Sequence, residues 1–241
     1  MKFALIGHPV AGSLSPRLFS AAYGGRYPYD LVDRDCFEDA WQVFLDQYDG
    51  INVTAPFKQD AFARVEHLSE DAHRTGAVNL VVKRADGLYA TNTDIEGVVG
   101  ALRESGHAFS TALVVGTGGA ARAAVAGAQK LGCRVWIAGR SAEKAEDIAR
   151  ALACETVPWD SLEALRPSLV IYTLPGRVSP PEGLNFAESV VLEAEYRIPR
   201  LSALPCKAYI PGQRWLLWQA AAGYELFTGE KPDMENLIKA I

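Results

Sequence analysis

Apolar and polar positions along the chain alternate between two periods. Short apolar runs of strand length stand at KFALI, YDLV, GINVT, AVNLVVKR and GLYATN in the first part. ALVVG, RVWIAG, LVIYTL and SVVLEA follow in the second. The segments SPRLFSAAY, CFEDAWQVFLDQY, AARAAVAGAQKLG and SAEKAEDIARALA carry apolar residues at helical spacing instead. Such alternation predicts an α/β protein with parallel sheets and helices on both faces. INVTAPFKQDAF, residues 51–62, reads as a buried strand running into a helix.

The pattern also predicts two domains. The joint falls in the helical stretch DIEGVVGALRESG, after which a second α/β unit opens with TALVVGTGGAARAAV. The last helical stretch, PGQRWLLWQAAAGYELFTG, is apolar on more than one side and is expected to pack back on the first unit. The expected division is residues 1–95, completed by 213–241, and residues 96–212. A cleft between two such units is a common place for a cofactor and a substrate to meet. No internal repeat and no low-complexity linker is present.

Composition leaves this picture intact and excludes others. The chain has 241 residues, of which 49% are hydrophobic and 22% charged, enough for a real core. A net charge of −5 with no basic run argues against a nucleic-acid surface. Cys36, Cys133, Cys154 and Cys206 are far apart, so there is no C-x-x-C signature and free thiols in a reducing cytosol are expected. The short apolar run at the N-terminus is broken by Gly7 and Pro9, too short for a signal peptide, and no stretch is long enough to span a membrane. A cytoplasmic protein is expected. Nothing in the sequence separates a monomer from a homodimer.

Chemistry enters at a glycine turn. Gly116, Thr117, Gly118, Gly119, Ala120 and Ala121 lie between an apolar strand and a helix and meet the G-x-G-x-x-[GA] spacing. The first glycine makes the turn, the second admits a pyrophosphate to the backbone, and the last small residue lets helix and strand pack. The helix N-terminus adds N–H groups and partial positive charge. The next strand ends in Gly139-Arg140-Ser141, where an NAD site would carry Asp or Glu. A cation and a hydroxyl favour a 2′-phosphate, hence NADP; Ser141 also reads as a plain helix N-cap.

Polar side chains gather at element ends in the first part. Asn52, Thr54 and Lys58 surround Pro56; Ser13 and Ser15 precede or open a helix; Asn79 heads a strand; Asn92 and Asp94 flank Thr93. Each has a structural reading. Ser15 before Pro16 is a good N-cap pair, and Thr93 with Glu96 fits a capping box. Together they lie where α/β proteins build sites. His8, His67, His73 and His107 show no ligand spacing, so no metal is expected, and no G-x-S-x-G elbow marks a serine hydrolase.

At these residues the chain resembles the shikimate dehydrogenase family, over nearly its whole length. GHPVAGSLSP, INVTAPFK, GAVNLV and TNTDIEG are similar to the family's substrate-side motifs, and VVGTGGAARAA with GRS to its NADP turn and phosphate clamp. EAEYRI and GQRWLLWQAAAGYELFTG resemble the closing motifs. The resemblance implies a substrate domain and a Rossmann-type NADP domain, and reversible NADPH reduction of 3-dehydroshikimate to shikimate. It places catalysis on Lys58 and Asp94. It places substrate contacts on Ser13, Ser15, Asn52, Thr54, Asn79, Asn92, Tyr196 and Gln219. Gly212 joins the glycine turn, Arg140 and Ser141 on the cofactor side.

Four features depart from the family pattern. Gly12 stands where a histidine is usual, YTLPG (172–176) replaces an Asn-Ala-Thr run, Trp215 or Leu216 replaces a methionine, and Glu193 replaces an aspartate. The rival readings are a quinate or other shikimate-like dehydrogenase, and a non-catalytic NADP-binding relative.

Overall fold

The computed structural model describes all residues, 1–241. The chain divides into two compact units, Met1–Thr93 with Gln219–Ile241, and Asp94–Trp218. The joints expected after residues 95 and 212 thus lie at 93/94 and 218/219. The second joint falls inside one continuous helix, where neither composition nor a breaker residue marks it.

The first unit runs β1 (Phe3–Gly7), α1 (Ser15–Tyr23), β2 (Tyr29–Asp33), α2 (Phe37–Gln47), β3 (Gly50–Val53), α3 (Lys58–Phe62), β4 (His67–Leu68), α4 (Glu70–Thr75), β5 (Leu80–Arg84) and β6 (Gly87–Thr91). Its sheet has the order β2-β1-β3-β5-β6-β4. β1 is parallel to β2 and β3, but β5 is antiparallel to both β3 and β6. The sheet is therefore mixed, a correction to the parallel expectation. Arg84 pairs with Gly87, so only Ala85 and Asp86 join β5 to β6. A two-residue link makes a hairpin and is far too short for a parallel crossover.

One face of this sheet buries Ala4, Ile6, Ile51, Val53 and Val81 against Trp41 and Phe44 of α2. The other is aromatic. Phe3 stacks on Phe227 at 4.8 Å, and Phe19 meets Tyr224 edge-on at 4.7 Å. Phe227 and Tyr224 belong to the end of the last long helix, so that helix does return to the first unit, as its apolar sides predicted.

The second unit runs α5 (Asp94–Glu104), β7 (Thr111–Val115), α6 (Gly119–Lys130), β8 (Arg134–Ala138), α7 (Ala142–Leu152), β9 (Glu155–Thr156), a 3₁₀ turn (Trp159–Ala164), β10 (Leu169–Tyr172), β11 (Val190–Glu193) and β12 (Ala208–Ile210). α8 (Gly212–Thr228) then leads to α9 (Met234–Lys239) in the first unit. All strand pairs here are parallel, in the order β12-β11-β10-β7-β8-β9. Counted from β7 this is the 3-2-1-4-5-6 order of a Rossmann sheet, with its switch point between β7 and β10.

Helices do not cover both faces as expected. No helix links β10 to β11 or β11 to β12. Pro175, Pro180, Pro181, Pro199 and Pro205 lie in those links and withhold the N–H groups a helix needs. Irregular chain carrying Phe186 and Leu201 buries that face beside Leu162 of the 3₁₀ turn.

Candidate active site

The mixed sheet explains how scattered polar residues of the first unit share one edge. β1 and β3 are parallel, so the chains leaving Gly7 and Val53 emerge together, and His8 N–H donates to Ala55 O at 3.1 Å. β5 is antiparallel to β3, so its head, with Asn79, lies at that same edge. β6 reverses again and delivers Asn92 and Thr93 there, with Leu80 opposite Thr91. In an all-parallel sheet a residue heading a strand would lie at the far edge.

Hydrogen bonds join these residues into two runs at the same edge. The Ser13 hydroxyl donates to Ser15 Oγ at 3.1 Å, and Ser15 N–H donates to Ser13 Oγ at 3.2 Å. Tyr29 donates to Asn52 Oδ1 at 2.7 Å, and Asn52 Nδ2 donates to the Asn79 carbonyl at 3.2 Å. Asn79 Nδ2 donates to Thr93 Oγ1 at 3.0 Å and to Gln219 Oε1 at 3.3 Å, while its Oδ1 receives Thr93 N–H at 2.8 Å. Ser15, Asn52, Asn79 and Thr93 are buried yet uncharged. Buried polar groups persist only when bonded, so the runs are rigid where they are satisfied.

The other expected residues sit around them. Thr54 N–H donates to Ile6 O at 3.0 Å, and the Lys58 carbonyl receives Val78 N–H at 2.9 Å, which ties the head of α3 beside Asn79. Asn92 is fully buried and donates to Thr75 Oγ1 at 3.1 Å. The loop after β1 is clamped by Asp33, whose carboxylate takes His8 Nδ1 at 2.7 Å and Val10 N–H at 3.1 Å. Asp94 opens α5 in the second unit and is 8% exposed. Tyr196 also belongs there, its carbonyl receiving Gln213 Nε2 at 3.3 Å.

Two capping expectations are corrected. Leu14, not Ser15, precedes α1, and Ser15 is the first helical residue with its amide on Ser13. The Thr93 amide and hydroxyl are both engaged with Asn79, and Glu96 pairs with Lys130 at 3.1 Å instead of closing a capping box. Ser141, by contrast, does cap α7, its Oγ accepting Lys144 N–H at 3.3 Å. The sequence does not mark Tyr29, because an aromatic at the head of a strand reads as core.

In the second unit the site is made of backbone. Gly116 has φ +124°, and a Cβ there would lie 2.3 Å from Thr173 Oγ1, so only glycine fits. Gly118 is extended, and a Cβ built on it would meet nothing within 4 Å. α6 starts behind it with no side chain capping its first amides. Open space before a bare helix N-terminus, at the switch point of the sheet, fits the pyrophosphate of a dinucleotide. Arg140 is exposed at the end of the neighbouring strand. A Cβ on Gly212 would lie 2.6 Å from Ala194 O, so backbone packing alone requires that glycine.

Glu193 and the 172–176 run form a third cluster. Glu193 is fully buried and receives Arg200 N–H at 2.7 Å, Leu201 N–H at 3.0 Å and the Tyr209 hydroxyl at 2.7 Å. Arg200 Nε donates to the Gly176 carbonyl, and Gly176 N–H faces Glu195 at 3.5 Å. Burial, with the Glu193 charge behind it, pushes the Tyr172 phenol up to about 12. The longer carboxylate thus holds the chain on either side of Tyr196.

No group of three or more His, Cys, Asp or Glu side chains is placed to hold a metal, and no helix is long and apolar enough to cross a membrane.

The family model of the shikimate dehydrogenase substrate-binding domain matches residues 5–81. Shikimate dehydrogenase (NADP(+)) of Thermus thermophilus is 30% identical, covering 100% of this chain and 97% of that protein. The enzyme of the same name from Exiguobacterium sibiricum is 34% identical over 97% of this chain and 95% of its own length. The crystal structure of shikimate 5-dehydrogenase from a second Thermus thermophilus strain, with NADP(H) and shikimate, superposes with a TM-score of 0.86 at 28% identity, covering 100% of this chain and 98% of that one. With a Rossmann sheet, an open glycine turn and a whole-length match to these relatives, this chain belongs to the shikimate dehydrogenase family.

Proposed function

We propose that this protein catalyses the NADP-dependent, reversible reduction of 3-dehydroshikimate to shikimate. The observation that carries the reading is the set of uncharged polar side chains at one sheet edge, Ser13 with Ser15 and Tyr29 through Asn52 and Asn79 to Gln219, with the head of α3 at Lys58 tied beside Asn79. Hydroxyls and amides match a small ring bearing hydroxyl groups and one carboxylate. A macromolecular partner would need a broader, charged surface.

Ser13 and Ser15 hold the carboxylate. Asn52, Thr54, Asn79, Asn92, Tyr196 and Gln219 bind the ring oxygens. NADPH, when bound, supplies the hydride. Gly116–Ala121 would hold its pyrophosphate through backbone N–H groups, and Arg140 and Ser141 its 2′-phosphate, with Gly212 on the same side by resemblance alone. Lys58 stands at the carbonyl oxygen of the substrate, stabilises charge as it develops there and delivers the proton. A positioned cation of this kind lowers a barrier by about 3–4 kcal/mol. Asp94 bonds the same hydroxyl and orients Lys58. Oxidation of shikimate requires the lysine to take that proton back.

A cytoplasmic setting belongs to the same reading, supported by four cysteines that are all free. NADPH absorbance followed with 3-dehydroshikimate, then with NADH in its place, is the test. Turnover with NADPH and 3-dehydroshikimate is expected; a protein inert toward that substrate with either cofactor sinks the assignment.

A further inference from the structure

Tyr29 is the one aromatic member of this polar edge, and its neighbours dictate its chemistry. A backbone carbonyl only accepts, so the Asn52 atom 3.2 Å from Asn79 O is Nδ2. Oδ1 then faces Tyr29, and the phenol must donate to it at 2.7 Å. Ser15 Oγ accepts from the Ser13 hydroxyl at the same sheet edge, at 3.1 Å. The protons therefore point in one direction from Tyr29 to Asn79.

The ring is held as firmly as its hydroxyl. Its centroid lies 4.8 Å from Phe19 and 6.3 Å from Tyr224, and the Tyr224 hydroxyl donates to the Ser15 carbonyl at 3.2 Å. Burial pushes the phenol well above the ordinary tyrosine range, so it stays a donor at neutral and moderately alkaline pH.

We propose that Tyr29 is a positioning residue that locks Asn52 with its amide oxygen turned inward and its second N–H presented to the substrate. That the N–H meets a substrate rests on the functional reading above; the lock concerns the protein alone. The consequence is selectivity: Asn52 offers only a donor, so the group it meets must accept, as a ring hydroxyl oxygen or carboxylate does and an ammonium does not.

The test is Tyr29→Phe, which keeps the ring and removes the oxygen, read by two measurements. In side-chain amide NMR of the free protein, the Asn52 NH₂ pair is expected to shift and to rotate faster once Oδ1 loses its donor. In kinetics, the KM for 3-dehydroshikimate is expected to rise about three- to tenfold, the worth of one hydrogen bond, with kcat within about twofold and the NADPH KM unchanged. A purely structural role would lower the unfolding midpoint and leave the KM alone. Should Tyr29→Phe fold poorly, Asn52→Ala and the double variant decide the matter. Losses in those two that coincide support the inference, and losses that multiply overturn it. An unmoved Asn52 amide overturns it even where the KM changes. Failure of the wild type to turn over 3-dehydroshikimate would remove the functional reading, and the NMR result would still judge the lock.

Discussion

In the first unit the polar surface consists of side chains, from Ser13 to Gln219, on a sheet whose antiparallel pairs bring strand heads and tails to one edge. In the second, the corresponding surface is a bare turn, Gly116 to Ala121, with an uncapped helix behind it and a wholly parallel sheet beneath. The difference teaches how each surface can fail. A side-chain site loses function one bond at a time, while a backbone site is damaged chiefly by adding atoms. Substitutions in the first unit's polar residues should therefore leave the ligand of the glycine turn alone, and substitutions in the glycine turn should leave the ligand of those polar residues alone.

The largest effect tests that separation at the chemistry. Lys58→Ala and Asp94→Ala are each expected to lower kcat by about 10²–10³-fold, the value of about 3–4 kcal/mol at the reacting oxygen. NADPH affinity, measured by fluorescence titration, should stay within about twofold in the Lys58 variant. Near-wild-type turnover in either variant would remove the roles assigned to them.

Next comes Arg140. A guanidinium on a phosphate is worth about 1.5–3 kcal/mol as a charged hydrogen bond. Arg140→Ala should cut the preference for NADPH over NADH by about ten- to a hundredfold, read as a ratio of kcat/KM values, with shikimate affinity unmoved. An unchanged ratio would return Arg140 to the plain helix-opening role that its neighbour Ser141 fills as N-cap.

The glycine turn offers a finer cut between fold and ligand. Gly116→Ala meets both the Thr173 hydroxyl and a φ of +124°, so the unit itself should lose stability. Gly118→Ala meets no protein atom within 4 Å and has an ordinary φ of −88°. Its unfolding midpoint should match the wild type while NADPH binding weakens by about tenfold, because the added methyl stands where the pyrophosphate approaches. Full affinity in Gly118→Ala would mean that the open space is not the phosphate's.

The same contrast decides what the sequence makes legible. Strands and helices with clear period, such as residues 15–23 and 111–115, were readable because burial on one face writes the pattern directly. The glycine turn was readable because conformational demands leave few residue choices. Strand direction in the first sheet was not, since a strand's own pattern is the same either way up and only the Ala85–Asp86 link betrays the hairpin. Asn79 shows the consequence. The sequence shows it only as polar at a strand head, and only the reversal of β5 puts it beside Asn52. Tyr29 was hidden because its ring satisfies the core pattern while its hydroxyl works at the polar edge. Glu193 was visible as a departure, but its three donors come from residues seven to sixteen positions away.

The smallest effect expected is a local acid sensitivity of the loop after β1. The His8 ring on Asp33, and then the Val10 N–H, hold that carboxyl below the ordinary aspartate range. A carboxyl lowered on folding contributes stability that is complete above its unfolded pKa, about 3.9, and is lost as pH falls through the lower folded value. The pair is exposed, so the contribution is small and screened by salt. The Val10 amide resonance should therefore hold steady down to about pH 4 and then shift with a midpoint below about 3.9, together with faster exchange of the 8–14 loop. In Asp33→Asn that transition should vanish. The Gly116–Ala121 turn carries no titratable side chain, so the Gly118 amide should show no matching transition. A Val10 midpoint at or above the ordinary aspartate value would mean that the clamp does not hold the substrate-side loop, and the stiffness of that surface would then rest on the buried polar residues alone.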